Sequence, residues 1–529
     1  DTDRSRGLGD VYKRQVYNKK WNQISGIQLG HYSWFTSMDV DKGGNAWVGT
    51  VIDGFYVIDM HNFSVTRTLD IPLLSGNTVR NGIQSIYCDR ENNSVWIGLY
   101  NQGMCYYHPS MNKIVLYNKK MINGDWKGEE IRCMLETSKG EILMGTTQGV
   151  YRYEPETKSM NRFYHEFSQK NCRVLYEDSK KRVWVGTYHD GLYCIDHGKV
   201  QSYDYPDTDY QNELDFSNIR VMVEDSSGRL WVSIYGGVGL FNPENGQINL
   251  LSEQFPELKK YKVANALAID NRSRLVVGSD NGLYIYDPAT NKIWIPEEDG
   301  QANSIFNQGS IKYNQILKDH EGTLWFATQY GLSVLTYNGQ SYTLGKEEGL
   351  SKAILNVVED KNHDIWISTV TSIYKIKVDR RADKYSFHVI SCLSEDEIRQ
   401  DDLYSFPSLM TRDNQLFLGL MNGFIAFSPE NMIDNQCLNR PLFTSFRLFN
   451  VPVVSGEIYN GRVLFDKALS YSDEVQLKYD ENYITLEFSG LNFPNPSQTS
   501  FRYQLEGFDK EWTETPVSYT HLRAHETDQ

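Results

Sequence analysis

The 529-residue chain has no run of clustered lysine or arginine, and its formal net charge is −15 with a pI near 5.3. A polyanion held through counterion release needs such clusters, so nucleic-acid binding is excluded. No apolar stretch approaches the roughly 18–20 residues that span a bilayer. Cysteine is scarce and odd in number: Cys88, Cys105, Cys133, Cys172, Cys194, Cys392 and Cys437. None forms a C-x-x-C pair, so zinc-ribbon and dithiol redox motifs are absent, and the thiols read as small buried hydrophobes. Helical periodicity is hard to find. Proline, at 15, is outnumbered by glycine, at 40, which points to many tight turns.

Aromatic residues make up 13% of the chain, including 35 Tyr and 11 Trp. Flat side chains suit a pleated surface, and this abundance favours strands. The length allows about three or four domains, with cores large enough to need no disulfide or metal. Residues 1–15 (DTDRSRGLGDVYKRQ) and 517–529 (VSYTHLRAHETDQ) do not continue the internal patterns. They resemble adapter-derived translations and are set aside as non-native scars, which makes the chain an internal piece of a longer protein.

The organising signal is a repeat. Trp47-Val-Gly-Thr50, Trp96-Ile-Gly-Leu99, Trp184-Val-Gly-Thr187, Trp231-Val-Ser-Ile234, Trp325-Phe-Ala-Thr328 and Trp366-Ile-Ser-Thr369 share one pattern. Leu143-Met-Gly-Thr146, Val276-Val-Gly-Ser279 and Phe417-Leu-Gly-Leu420 are weaker copies. The nine copies recur every 46 residues or so, close to the length of a four-stranded propeller blade. Most begin with an apolar run ending in an acidic residue, such as Ile219-Arg-Val-Met-Val-Glu-Asp225, then a polar turn, then the Trp strand, a Gly-containing loop and a further strand. The Asp and Gly of the first turn supply a side-chain-to-backbone bond and a positive φ. The small residue after Trp-Val lets neighbouring sheets approach closely. The indole is expected between adjacent sheets.

Nine units exceed the usual maximum of about eight blades per ring. The expected architecture is therefore all-β: residues 16–120 as the last two blades of an upstream propeller, and residues 121–437 as a seven-bladed β-propeller. Residues 438–516 follow as a truncated β-sandwich. Its strand candidates are Pro441–Phe446, Glu474–Lys478, Tyr483–Phe488 and Phe501–Leu505, the last three alternating with period two.

The repeated Asp-x-x-Gly-x-Leu-Trp-Val-Gly-Thr…Gly-Leu unit is similar to the regulator-propeller repeat, and Glu321-Gly-Thr-Leu-Trp-Phe-Ala-Thr328 with Gly331-Leu332 is a clear copy. Phe501-Arg-Tyr-Gln-Leu-Glu-Gly-Phe-Asp-Lys-Glu-Trp512 resembles the core of the Ig-like triple-tyrosine domain that follows such propellers. Together the two resemblances cover nearly all of residues 16–516. Their order resembles the extracytoplasmic sensor region of hybrid two-component systems of Bacteroidetes. The resemblance implies two seven-bladed propellers, a sandwich, a membrane helix, a histidine kinase, a receiver and a DNA-binding domain in the parent. It implies a periplasmic location for this portion of an inner-membrane protein, oligosaccharide inputs, and a homodimer through the C-terminal region of the parent. Kinase activity belongs to that parent; this chain carries no catalytic domain. It touches the membrane only through segments it lacks.

Catalytic signatures are missing from the chain itself: no H-E-x-x-H and no G-x-S-x-G. Gly339-Gln-Ser-Tyr-Thr-Leu-Gly345-Lys346 has one residue too many for a P-loop and Glu347 where Ser or Thr belongs, so it reads as strand and turn. Gly237-Val-Gly239 is a blade loop with no helix after it. Asp207-Thr-Asp209-Tyr-Gln211 lacks the glycine of a calcium loop and reads as a solvated acidic loop. The carboxylate pairs Glu129/Glu130 and Asp401/Asp402 read as surface charge. No cofactor and no metal is expected.

One alignment concentrates chemistry. Five residues before the end of each inner strand the copies carry Thr36, Gln84, Arg132, Arg173, Arg220, Asn265, Asn314, Leu355 and Phe406. Equivalent positions circle a propeller axis, so three Arg and two Asn would converge at the channel mouth. Arg presents a planar fork for carboxylate or sulfate, and Asn suits hydroxyls. The same groups could instead bridge blades through neighbouring carbonyls. The loops after the Trp strands add Tyr188-His189-Asp190, Tyr235 and Gln329-Tyr330, whose faces suit sugar rings. The expected function is oligosaccharide sensing, relayed through the sandwich across the membrane. Two alternatives stay open, a carbohydrate-active propeller enzyme (lyase or glycosidase) and a protein-binding propeller scaffold.

Overall fold

The computed structural model describes residues 34–51, 54–67, 82–90, 93–100, 103–108, 115–205, 214–296, 311–350, 352–381, 384–393, 407–432, 441–472, 474–490, 500–504 and 512–516, with a hairpin at 13–17 and 23–28. The Asp207–Gln211 segment, Asp401/Asp402, Phe406 and Cys437 lie outside these residues. The chain divides into two compact units, Lys113–Met432 and the combination of Asp1–Asn112 with Ile433–Gln529.

Within Lys113–Met432 the described strands form seven small sheets, antiparallel apart from the short strand Asn123–Gly124 that runs parallel to Ser159–Arg162, here called blades I to VII. Their innermost strands are Ile131–Glu136, Cys172–Glu177, Asp215–Glu224, Ala264–Ile269, Tyr313–Lys318, Asn356–Glu359 and Ser408–Met410. Each inner strand contacts the next, and the last contacts the first, so the sheets stand in a closed cycle. This is an all-β propeller arrangement. Blade VII has only three strands of its own; its fourth is Val115–Asn118, antiparallel to Gly423–Phe427. The sequence division at residue 121 put that strand with the upstream blades. A repeat boundary falls between copies, whereas closing a ring requires one strand from before the first copy to pair with the last.

The turn chemistry explains why the repeats fold this way. Asp178 Oδ1 accepts from the Lys180 and Arg182 amides at 3.0 and 2.9 Å, while Oδ2 accepts from Trp184 Nε1 at 2.9 Å and Arg182 Nε at 2.7 Å. Asp225 makes the same set with Trp231 and Arg229. Asp41, Asp319 and Asp360 hold Trp47, Trp325 and Trp366 through the same atom at 2.8, 3.0 and 2.8 Å. Once fixed, the indoles meet aromatic rings of the following sheet. Trp184 lies 5.3 Å from Phe241, Trp231 5.5 Å from Tyr286, Trp325 5.9 Å from Phe387, and Trp366 5.3 Å from Phe427, centroid to centroid. Such pairs add roughly 0.5–1.5 kcal/mol beyond area burial.

The small residue after each Trp-x pair sits where two sheets nearly touch. A Cβ on Gly186 would lie 2.5 Å from Val174 Cγ1 and 2.7 Å from Ile219 Cγ2, the latter on the next blade. Ser233, at the equivalent place, donates to the Ala264 carbonyl of the next blade at 2.7 Å. A second series of contacts runs between blades at the other end of the inner strands. Glu177 accepts from Ser138 N and Oγ, Glu224 from Ser179 N and Oγ, and Glu136 from Arg412 N. The cysteines among the described residues are free thiols, buried except for half-buried Cys105.

The other unit contains a four-stranded sheet (Phe35–Val40, Asn45–Thr50, Phe55–Asp59, Val65–Arg67) and a three-stranded one (Ile83–Asp89, Ser94–Leu99, Gly103–Tyr107). Residues 13–15, set aside as foreign, lie in strand Lys13–Tyr17 paired with Gln23–Gln28; extended backbone pairs whatever its origin. Downstream, Leu442–Leu448 pairs with Val451–Pro452 and Ile484–Ser489 over Phe446, Leu448, Val453 and Phe465. Ser500–Tyr503 pairs with Thr513–Pro516. The expected strand at Glu474–Lys478 does not form. The Lys478 amide donates to Glu481 Oε2 at 2.8 Å and the Glu481 amide returns to the Lys478 carbonyl at 2.9 Å, which bends the chain there.

Two expectations follow. Asp225→Ala leaves the Trp231 indole N–H buried without a partner and should cost roughly 2–4 kcal/mol in chemical denaturation. Burial raises the Asp225 pKa, but the hydrogen bonds from Trp231, Arg229 and Ser227 outweigh it and hold the carboxyl below its usual range. A depressed carboxylate stabilises the fold above its unfolded pKa of about 4 and loses that contribution as pH falls through the lower folded value. Wild type should therefore lose stability more steeply than Asp225→Ala below about pH 4. Gly140, in the first turn of blade I, has φ +82° and open space within 4 Å of where a Cβ would stand, so it isolates conformation from packing. Gly140→Ala should lower stability by about 1 kcal/mol, whereas Gly186→Ala, which adds a clash, should cost about 1–3 kcal/mol; equal effects would count against the close-approach role.

Candidate functional site

Arg132, Arg173 and Arg220 occupy the inner strands of three consecutive blades. Each keeps its Nε buried without a hydrogen-bond partner. Their terminal nitrogens differ. Arg132 pairs with Glu130, the residue just before its strand, at 2.9 Å. Arg220 donates to Asn265 Oδ1 at 2.9 Å. Arg173 has no ion-pair partner among the described residues, and its guanidinium lies over the Tyr188 ring, 4.5 Å from the centroid.

The electrostatics follow. Burial, then the charges of Arg220 and Arg132, push the Arg173 pKa down to about 10. Burial lowers Arg220 as well, opposed by Asp280 and by Tyr188 and Tyr235. Arg173 thus lies near enough to both neighbouring guanidiniums to feel their charges. Asp280 is itself engaged by Asn265 Nδ2 at 2.7 Å and by Lys312 at 3.4 Å. The inner-strand acids Glu136, Glu177 and Glu224 face the interblade turns and not the guanidiniums.

The structure brings Tyr188, His189 and Tyr235 toward this cluster. His189, at φ +77°, places its ring 3.8 Å from that of Tyr188 and its Nδ1 3.0 Å from Asp215 Oδ2. Tyr235 continues the Trp231 strand and influences Arg220. Other expected site residues have other occupations. Asn265 holds Arg220 but also donates to the Tyr313 carbonyl of the next blade at 3.2 Å. Asn314 donates to the Ile354 carbonyl at 2.7 Å. The two amides therefore bridge blades, while the three arginines leave donors available. Asp190 pairs with Lys170 at 3.2 Å, and Tyr330 on blade V stands 61% exposed.

Sequence reasoning missed the acids that tune the cluster. Glu130 was visible only as half of a surface carboxylate pair, yet it stands two residues before Arg132, within reach of its guanidinium. Asp280 directly follows Ser279, as Tyr188 follows Thr187, so the same alignment contains it. A groove of about 990 Å³ opens elsewhere, beside Tyr117, Tyr153 and Phe417; Glu136, Glu141, Glu154, Glu156 and Asp413 outnumber Arg152 there, the opposite polarity.

No protein-family model matches the chain. In fold it is similar to the extracellular domain of a hybrid two-component system from B. thetaiotaomicron, with 19% identity and a TM-score of 0.69 over 97% of this chain and 66% of that one. The extracellular domain of a one-component system from the same organism is 20% identical over 96% of this chain and 67% of that one, with a TM-score of 0.48. In sequence, 163 residues are 21% identical to histidine kinase P4 of Formosa agariphila, covering 31% of this chain and 11% of the kinase. The chain thus spans about two thirds of the first structure and about a tenth of the kinase. The first likeness shows a shared fold.

An unpaired cation between two like charges is a cost to the empty protein. Arg173→Met should raise the stability of the ligand-free chain by about 1 kcal/mol. It should also remove most of the thermal stabilisation that sulfate confers at constant ionic strength. A variant less stable than wild type, with an unchanged sulfate response, would mark Arg173 as a packing residue.

Proposed function

We propose that this chain is the ligand-sensing portion of a periplasmic sensor whose ring binds an anionic oligosaccharide over Arg132, Arg173 and Arg220. The observation that carries the reading is Arg173: a half-buried guanidinium with no ion-pair partner among the described residues, beside two further arginines and under a tyrosine face. A carboxylate or sulfate would supply the missing counter-charge bidentately, and the Tyr188 and Tyr235 faces would receive the apolar side of a sugar ring. The acids nearby are each engaged by a cation or an amide, which favours binding over acid–base catalysis. The fold shared with a two-component extracellular domain supports a sensor role. In this reading the signal passes to the sheets of residues 438–516 and on to a histidine kinase in the parent.

The reading also assigns residues 16–112, without the strand that closes blade VII, to the end of a separate ring. Gly49 abuts Ile83 of the sheet that follows it, whereas the nearest described atoms to Gly98 belong to Ser85 of its own sheet. Tyr87 and Met104, 63% and 66% exposed, border an apolar hollow with Trp96. Such a surface has the composition of a contact between blades.

Calorimetry against matched neutral, uronate-containing and sulfated oligosaccharides across a salt series tests the proposal. The anionic members should bind, more weakly as salt rises. Arg173→Ala should cost about tenfold or more in affinity, the equivalent of one charge-assisted hydrogen bond. Tight, salt-insensitive binding of a neutral glycan, kept in Arg173→Ala, would overturn it.

A further inference from the structure

We propose that His320, Glu359 and His363 form a binding site for a divalent transition-metal ion, Zn²⁺ foremost, that ties blade V to blade VI. Each of the three side chains offers one ligand atom, a ring nitrogen or a carboxylate oxygen, and these lie within 4.8 Å of one another. Glu359 Oε1 shares hydrogen bonds with both imidazoles, at 3.1 Å to His363. The imidazole rings are stacked, centroids 3.5 Å apart and planes 21° from parallel.

The scaffold is the interblade clasp found at other junctions, altered at two positions. Between blades I and II, Glu177 binds the amide and hydroxyl of Ser138; between II and III, Glu224 binds those of Ser179. Between V and VI, Glu359 still takes the backbone amide of the turn, His320 N at 2.9 Å. The serine hydroxyl, however, is replaced by an imidazole. The left-handed turn position of blade VI, held by Gly140, Lys181 and Gly228 in blades I to III, is held here by His363 at φ +63°. Two nitrogen ligands thus join a carboxylate that the fold already positions.

The geometry suits the ion. Ligand atoms on a tetrahedral Zn²⁺ with bonds of about 2.0–2.2 Å stand roughly 3.3 Å apart, close to the present separation of Glu359 and His363. Two imidazoles and one carboxylate leave a fourth position for water, and this donor set favours Zn²⁺, Ni²⁺ or Cu²⁺ over Mg²⁺ and Ca²⁺. Metal entry would replace the proton shared between histidine and glutamate, which leaves to solvent. Glu321 Oε1 lies 3.9 Å from His320 Nε2, on the far side of the ring, where an outer carboxylate orients a ligating histidine. Among the described residues this is the single group of three such side chains. It escapes sequence reading because its members come from different copies at non-equivalent positions.

The test is calorimetric titration of the chelator-treated full chain with Zn²⁺, with Mg²⁺ and Ca²⁺ as controls and Co²⁺ binding read by visible absorption. One Zn²⁺ per chain and a rise in melting temperature are expected, with tetrahedral Co²⁺ bands. His320→Ser restores the clasp of the other junctions, and His363→Asn keeps a residue tolerant of left-handed backbone. Both should melt like the parent in chelator yet lose roughly tenfold or more in Zn²⁺ affinity. No stoichiometric Zn²⁺ binding by the parent chain, or undiminished affinity in both variants, would overturn the proposal.

Discussion

The carboxylate at the first turn of the blade is the group on which the rest of the ring depends. One oxygen closes the turn and the other holds the indole six residues on, so a single side chain fixes both the hairpin and the ring that packs against the next sheet. The dependence shows in the copies that lack tryptophan. Where Leu143 and Phe417 replace the indole, the turn residue is Thr137 or Thr411, whose hydroxyl still accepts the backbone amide at 3.2 or 3.0 Å. Without an indole N–H to satisfy, a buried carboxylate would be a liability. Blade IV keeps Asp270 beside Val276, and there the second oxygen is taken by Arg274 at 2.8 Å.

The inner-strand position carrying Arg or Asn behaves as a slot whose occupant selects its use. Asn265 and Asn314 reach the carbonyls of the next blade, Tyr313 and Ile354, and serve the fold. Arginine at the same place turns to Glu130, to the Tyr188 face or to Asn265 of the next blade, and keeps a buried Nε without a partner. The reciprocal pattern lies at the opposite end of the strands, where a glutamate clasp recurs with serine at two junctions and histidine at another.

The blade pattern was legible in sequence because each part of it answers a separate physical demand. Gly186 admits Ile219 of the next sheet, Asp178 needs the Trp184 indole, and Thr187 Oγ1 donates to the Gly191 carbonyl at 2.8 Å across the hairpin. The closing strand Val115–Asn118 was not legible, because it belongs to no copy and its partner lies at the far end of the ring. The arginines could be found by alignment, since strand position alone sets where they point. Their counter-charges were harder to assign: the alignment contains Asp280 but does not show that it acts on Arg220 of a different blade, and Asp215 answers His189 across a loop.

That closing strand makes the order of synthesis matter. Val115 pairs with Ala426, so about 310 residues must leave the ribosome before the ring can be fastened. Loop-closure entropy rises only logarithmically with length, and the equilibrium penalty is therefore modest, but pairings so distant in sequence form slowly. Until then Val115–Asn118 and the outer edge of Gly423–Phe427 are both unpaired, the kind of edges that recruit other chains. A linear array of repeats can shed an end unit and keep the remainder. Here the two ends are one sheet, so loss of either should open the whole circle, and a ring written as a series of modules should unfold as a single cooperative body.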